Sequence, residues 1–143
     1  MRILLITYYF PPAGGAAVQR WLRFIPQFIK QGIEISVLCS EGGDYPFLDE
    51  SLKIPPGLLV IRAKAPRMEA LWNTISGAQD RLPHGDINAS QKSIPARILI
   101  WMRLNLVFPD LRVFWNPSAY KAALKELASK PYDAVITTGP PHS

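Results

Sequence analysis

The sequence predicts an α/β protein with a Rossmann-like, doubly wound parallel sheet, and three observations lead to that fold class. Residues 2–8 form an apolar run that suits a strand buried on both faces. A helical pattern and a second strand follow within about 38 residues, the length of a βαβ unit. The chain has 143 residues, of which 48% are hydrophobic and 19% charged. This composition fits one folded domain with one hydrophobic core.

The first half of the chain reads as strand, helix, strand, strand. Pro11 and Pro12 end the first strand because proline cannot donate to a ladder. One helical stripe then follows, formed by Val18, Leu22, Ile25 and Ile29. Pro26 predicts a kink in this helix, and Gly32 predicts its left-handed end. The second strand is predicted from alternation at Ile33, Ile35, Val37 and Cys39, and the third at residues 58–62.

The second half is predicted to supply the remaining helices and a fourth strand. Apolar periodicity from Met68 to Ile75 predicts a helix, and residues 77–93, which lack such a period, predict a long mobile or functional loop. Ser93 is predicted to cap a helix over residues 94–107. Asn116-Pro117 begins the last helix, with its stripe at Tyr120, Ala123, Leu124 and Leu127. Residues 132–138 are the predicted fourth strand.

Charge, cysteine and hydropathy patterns exclude several function classes. The net charge is +5, and the basic excess is confined to residues 91–130, which does not suit a nucleic-acid partner. One cysteine excludes an internal disulfide, and His84 and His142 are too isolated to predict a metal site. The apolar runs are too short to span a bilayer, so we expect a cytoplasmic protein.

The diglycine Gly14-Gly15 between the first strand and helix is the first candidate for chemistry. At the carboxyl end of a parallel strand, such a turn lets backbone N–H groups and a helix N-terminus approach a diphosphate. The alternative is that the two glycines only make a tight turn. The sequence contains neither G-x-G-x-x-G nor G-x-x-x-x-G-K-[ST]. The nicotinamide and flavin fingerprint and the P-loop are therefore absent.

A second candidate group follows the fourth strand. If that strand lies beside the first, then Thr138, His142 and Ser143 reach the same edge as the diglycine and can bond a polyhydroxylated ligand. The alternative is a solvated histidine on a loop.

A third group precedes the last helix and contains Asp110, Arg112, Trp115 and Asn116-Pro117. It predicts either a capped turn anchored by Trp115 or a tryptophan that stacks on sugar. The apolar residues 94–108, with Trp101 and nearby arginines, likewise allow two interpretations. They form a buried helix or a peripheral contact with an anionic membrane.

Three segments together resemble a known family. They are ILLITYYFPPAGGAAVQR at residues 3–20, PDLRVFWNP at residues 109–117 and YDAVITTGPPHS at residues 132–143. In this order they resemble the acceptor-side, N-terminal domain of the family-four glycosyltransferases, which have the GT-B architecture. Residues 41–93 have no distinctive match.

The resemblance implies retaining transfer of a sugar from a nucleotide-sugar co-substrate to a cell-surface polysaccharide or glycolipid, without a cofactor or metal. It places Gly14 and Gly15 against the donor diphosphate or acceptor. His142 becomes the candidate catalytic residue at the sugar end, with Thr138 and Ser143 as binding residues. The acceptor-side candidates are Arg20, Arg112 and Trp115.

Residues 1–143 are then expected to be the acceptor-side domain of a longer enzyme whose donor-binding domain, with its paired glutamates, is absent. We expect this piece alone to be inactive, and the reading frame beyond Ser143 to encode about 200 further residues. The alternative function is a non-catalytic sugar- or nucleotide-binding or interaction domain of the same fold. A sugar epimerase or dehydrogenase is disfavoured because the glycine fingerprint is absent.

Overall fold

The computed structural model describes residues 1–68, 101 and 111–139, which contain a four-stranded sheet and two long helices. The elements in chain order are β1 Arg2–Thr7, α1 Ala16–Lys30, β2 Glu34–Glu41, β3 Leu59–Lys64, a 3-10 helix Leu111–Trp115, α2 Asn116–Ser129 and β4 Ala134–Thr138.

All pairings between these strands are parallel, and the strand order is β3-β2-β1-β4. Ile3 of β1 lies opposite Ile35 of β2 on one side and opposite Ala134 of β4 on the other. The α/β class and the four predicted strands are confirmed, with bounds that differ by a few residues. The chain order reverses at β1, so the crevice beside β1 and β4 is the switch point of the sheet.

Two helices cover opposite faces of the sheet and divide its core in two. On one face, α1 packs Trp21 and Ile25 against Ile3 and Leu5 of β1. On the other face, the alanines of α2 pack with Leu4 and Leu38. Since β2 lies between two strands and two layers, Ile35–Ser40 are all buried. The alternation predicted for β2 therefore does not separate an inner from an outer face.

The buried stripe of α1 differs in part from the predicted one. Val18 and Ile25 are buried as expected, but Trp21 is buried and Ile29 is exposed. In the last turn of the helix it is Phe28, and not Ile29, that packs against the core. The helix remains continuous through Pro26, and Gly32 follows it at φ +74°, which confirms the left-handed end.

The stripe predicted for α2 is wrong for its large residues. Ala119 and Ala123 are the buried positions, whereas Tyr120, Leu124 and Leu127 are exposed. Small alanine side chains allow the helix backbone to approach β2 and β3 closely, so the larger residues are displaced to its flank. The helix begins at Asn116, as predicted, but the 3-10 helix that leads into it was not predicted.

Several predicted features lie outside the described residues. They are the helix that starts near Met68, the loop at 77–93, most of the helix at 94–107, His84, Asp110, His142 and Ser143. From the apolar segment only Trp101 is described, and its side chain is 59% exposed.

Candidate functional site

The carboxyl ends of β1 and β4 meet at the switch point of the sheet. Thr7, the last residue of β1, lies opposite Thr138, the last residue of β4. This adjacency was the condition on which the predicted convergence of the diglycine and the fourth-strand loop depended. Helix α1 begins nine residues after Thr7, and α2 runs back toward the start of β4, so both helix N-termini lie toward this edge.

A pocket of about 240 Å³ lies between the β1–β4 junction and the N-terminus of α2. Its polar lining consists of Thr7, Asn116, Tyr120, Thr137 and Thr138, and its apolar lining of Ile6, Tyr8, Trp115 and Ala119. Hydroxyl and amide groups on an apolar wall can hydrogen-bond a polyhydroxylated ligand while its carbon skeleton packs on the wall. The volume accommodates a small ligand or one part of a larger one.

Gly14 and Gly15 are each required to be glycine, but for different structural reasons. The N–H of Gly14 donates to the carbonyl of Phe47 at 3.1 Å, and a Cβ at Gly14 would overlap the Phe47 ring. Gly14 therefore does not offer the free N–H that the anion-binding interpretation needs. Gly15 has φ +118° and ψ 164°, a region that is essentially restricted to glycine, and precedes α1. No side chain caps α1, and its first turn has no acidic residue.

Arg20 joins α1 to the end of β4. Its Nη2 donates to the Thr138 hydroxyl at 3.3 Å, so the guanidinium lies beside the β1–β4 junction while its side chain remains exposed. Thr138 also lines the 240 Å³ pocket on the other face of the sheet. A cation, a helix N-terminus and a hydroxyl-lined pocket are thus grouped at one edge, where the local potential is positive.

Trp115 is placed as a structural anchor. It is only 6% exposed, its indole N–H donates to the carbonyl of Ala63 at 3.1 Å, and its ring meets Tyr8 edge to face. This geometry favours the capped-turn interpretation over sugar stacking, because the indole faces are covered. Burial of Tyr8 raises the pKa of its hydroxyl to about 12.

Arg112 packs against the same aromatic group rather than projecting into the pocket. Its guanidinium carbon lies 5.9 Å from the centre of the Tyr8 ring and 5.6 Å from that of Tyr9. These distances are typical of cation–π contacts. The three predicted acceptor-side residues therefore lie in two different places. Arg20 contacts the β1–β4 junction, whereas Arg112 and Trp115 pack against the tyrosines next to the pocket.

A larger pocket of about 330 Å³ lies at the opposite, amino edge of the sheet. Its charged groups already bond one another: Arg2 Nε donates to Glu34 at 2.7 Å, and the Arg2 backbone N–H donates to Asp133 at 2.6 Å. Contact with Arg2 lowers the pKa of the Glu34 carboxyl. Because open parallel α/β sheets bind ligands at their carboxyl edge, the smaller pocket is the candidate site.

Sequence reasoning missed part of the site. Tyr120 and Thr137 line the pocket, yet the sequence indicates them only as a helix residue and a strand residue, whereas Asn116 belongs to the third candidate group. Their position at element ends on the carboxyl edge is the signal that could have found them. Phe47, which covers Gly14, has no signal in the sequence because it lies in a segment without periodicity.

No helix in the described part of the chain is both long and apolar enough to cross a bilayer. Within residues 1–68, 101 and 111–139, no three His, Cys, Asp or Glu side chains converge as metal ligands would. Comparison with protein-family models, curated proteins and solved structures found no match.

Proposed function

We propose that the chain is the acceptor-side domain of a retaining glycosyltransferase of GT-B architecture. The enzyme would move a sugar from a nucleotide-sugar to a cell-surface polysaccharide or glycolipid. Support comes from the strand order β3-β2-β1-β4 with helices on both faces and from the family resemblance of three segments. The observation that carries the proposal is the grouping of Gly15, Arg20 and Thr138 at the β1–β4 junction.

The chemistry of sugar transfer matches the groups at this edge. As an acceptor oxygen bonds to the anomeric carbon, the bond from that carbon to the diphosphate breaks, and the acceptor hydroxyl loses its proton. Negative charge then develops on the departing diphosphate. The N-terminus of α1 and the Arg20 guanidinium supply positive potential for that charge, and the threonine hydroxyls can hold sugar hydroxyls.

His142 and Ser143 keep the roles that the resemblance gives them in this proposal, as candidate catalytic and binding residues. Both follow Thr138 by four or five residues, so the chain can bring them to the same edge. The donor nucleotide would be held mainly by a second domain.

The proposal is tested with inorganic pyrophosphate, which lacks base and sugar and therefore probes the anion site alone. We expect Arg20→Gln to weaken pyrophosphate binding by roughly 10-fold or more, since a hydrogen bond to a charged group contributes about 1.5–3 kcal/mol. Arg23→Gln is the matched control, because it removes the same charge from another exposed position of α1. Isothermal titration calorimetry measures both affinities.

Equal weakening by both substitutions would mean that pyrophosphate only senses the overall charge of α1. Absence of pyrophosphate binding at millimolar concentration would remove the diphosphate from the proposed site. Either result would contradict the proposal.

A non-catalytic interaction domain is the second candidate, and one surface favours it. Tyr120, Leu124 and Leu127 of α2 and Val135 of β4 are large, apolar and exposed. Adjacent exposed apolar residues of this kind mark interaction surfaces. If pyrophosphate does not bind and Leu124→Lys abolishes association in analytical ultracentrifugation, the interaction role is preferred.

A further inference from the structure

Phe47 is an exposed aromatic residue on a fixed backbone. Phe47 is 54% exposed and Leu48 is 61% exposed, although the backbone of both residues is bonded to the segment that precedes α1. Gly14 N–H donates to the Phe47 carbonyl at 3.1 Å, Asp49 N–H donates to the Pro12 carbonyl at 2.9 Å, and Ala13 bridges Leu48 in antiparallel fashion. The exposure is therefore held in place by backbone bonds at Phe47 itself and at the two residues that follow it.

The ring of Phe47 lies on the diglycine turn. A Cβ at Gly14 would collide with ring atoms Cδ2 and Cε2, and one at Gly15 would lie 3.9 Å from Cζ. One edge of the ring thus follows the turn from Gly14 to Gly15, at the start of α1. This location is the carboxyl edge of the sheet, on the α1 side of the β1–β4 junction.

We infer that Phe47 is a stacking platform for a neutral sugar ring of the acceptor. A pyranose presents a face of C–H groups that packs on an aromatic ring, while its hydroxyls point outward to polar groups. The inference rests on the proposed function and names the residue that selects the acceptor at that site.

The charges around Phe47 favour a carbohydrate over other apolar ligands. Asp44, Asp49 and Glu50 lie within three residues of it, and Glu50 is exposed. Oδ1 of Asp49 already accepts from the N–H and hydroxyl of Ser51, which leaves its Oδ2 and the exposed Glu50 carboxylate as acceptors for sugar hydroxyls. Carboxylates repel anionic lipid headgroups and nucleic-acid phosphates. Leu48 extends the apolar surface but offers no aromatic face.

Saturation-transfer NMR tests the platform with methyl α-D-glucopyranoside, methyl α-D-mannopyranoside and methyl β-D-galactopyranoside as probes. Irradiation of aromatic protons of the chain should transfer saturation to the ring C–H protons of at least one probe. We expect Phe47→Ala to reduce this transfer at least fivefold and Phe47→Trp to retain it. Leu48→Ala is the matched control and should change the transfer less than twofold, because it removes a neighbouring exposed side chain without an aromatic ring.

Circular dichroism spectra and melting curves establish that each variant is folded. Transfer that persists in Phe47→Ala, transfer lost equally in Leu48→Ala, or no transfer to any probe would overturn the inference.

Pyrophosphate titration of the same variants separates the platform from the proposed function. Phe47→Ala should bind pyrophosphate within twofold of the unmodified chain, since Phe47 carries no charge. If pyrophosphate binds and the sugar signal does not depend on Phe47, only the platform fails. If the sugar signal depends on Phe47 and pyrophosphate does not bind, the platform remains and the transferase proposal fails.

Discussion

Gly14 and Gly15 are adjacent but are required for different reasons, and this difference can be measured. Gly14→Ala should destabilise the fold by about 1–3 kcal/mol because its Cβ overlaps the Phe47 ring and lies 3.1 Å from the Asp49 Cβ. Gly15→Ala should cost about 1–3 kcal/mol because alanine does not tolerate its backbone conformation.

A double-mutant cycle combines each glycine substitution with Phe47→Ala, and urea unfolding measures the free energy of unfolding of each variant. Phe47→Ala should relieve a large part of the Gly14→Ala cost, because the ring that obstructs the Cβ is gone, and none of the Gly15→Ala cost. Equal relief at both positions would show that Phe47, rather than backbone conformation, explains both glycines.

Trp115 gives a second prediction at the residue scale. Trp115→Phe should lower the free energy of unfolding by about 1–3 kcal/mol more than Trp21→Phe, as it leaves the Ala63 carbonyl without its donor. Trp21 is a suitable control because it is also buried, and its indole N–H has no hydrogen-bond partner among the described residues. Thermal or urea unfolding provides the comparison. Equal losses would mean that the Trp115 hydrogen bond is not stabilising.

Residue-level prediction from the sequence was limited by contacts between distant segments. Thr138 is a candidate from its position at the end of a strand and Arg20 from the family resemblance, but their bond could not be predicted because it joins residues 118 positions apart. The roles of Trp115 and Gly14 depend on partners in β3 and in the loop after β2. Periodicity carries no information on such partners.

At the scale of elements, α2 is attached to β2 by a polar group at its C-terminus. The Tyr132 hydroxyl donates to the Glu126 carboxylate at 2.7 Å and lies 2.9 Å from the Ser36 hydroxyl, while Lys130 Nζ lies 3.1 Å from Glu126. The Tyr132 hydrogen bond, assisted by Lys130, lowers the pKa of the Glu126 carboxyl below its usual 4.5.

This lowered pKa predicts an acid-dependent loss of stability. A carboxyl with a lower pKa in the folded state stabilises the fold fully above its unfolded pKa and loses that contribution as the pH falls through the folded pKa. Urea midpoints measured from about pH 7 down to about pH 3 should therefore decline at the acid end. Glu126→Gln and Tyr132→Phe should both flatten that decline. A decline of unchanged size in both variants would contradict this origin.

The two helices show that the buried face of a helix can consist of small residues instead of large apolar ones. Helix existence and start were predictable from Asn116-Pro117, but the buried face was not, because it consists of Ala119 and Ala123 rather than the larger residues. Close helix–sheet packing favours small side chains, which a search for large apolar residues overlooks. In α1, where the large residues Trp21 and Ile25 are buried, the same pattern identified part of the buried face.

At the scale of the whole molecule, the sequence was sufficient for the α/β class and for the four strands. The adjacency of β1 and β4 was only a condition in the sequence argument, and the structure supplies it. Strand order depends on non-local pairing, which no local pattern encodes. The exposed flank of α2 was likewise invisible to the sequence.

The proposal that this is one half of a two-domain enzyme predicts that the chain alone does not transfer sugar. Incubation with nucleotide-sugars and glycan acceptors should release no more nucleotide than a buffer control, because catalysis requires donor and acceptor to be aligned between two domains. Release that depends on the chain and saturates with donor would show that the second domain is not needed.

The most direct test of the account is a map of backbone amide chemical shifts as pyrophosphate is added to the isotope-labelled chain. We expect the shifts to concentrate at the carboxyl edge, around Gly15, Arg20 and Thr138. Shifts that concentrate instead around Arg2, Gly32 and Asp133, which line the amino-edge pocket, would contradict it.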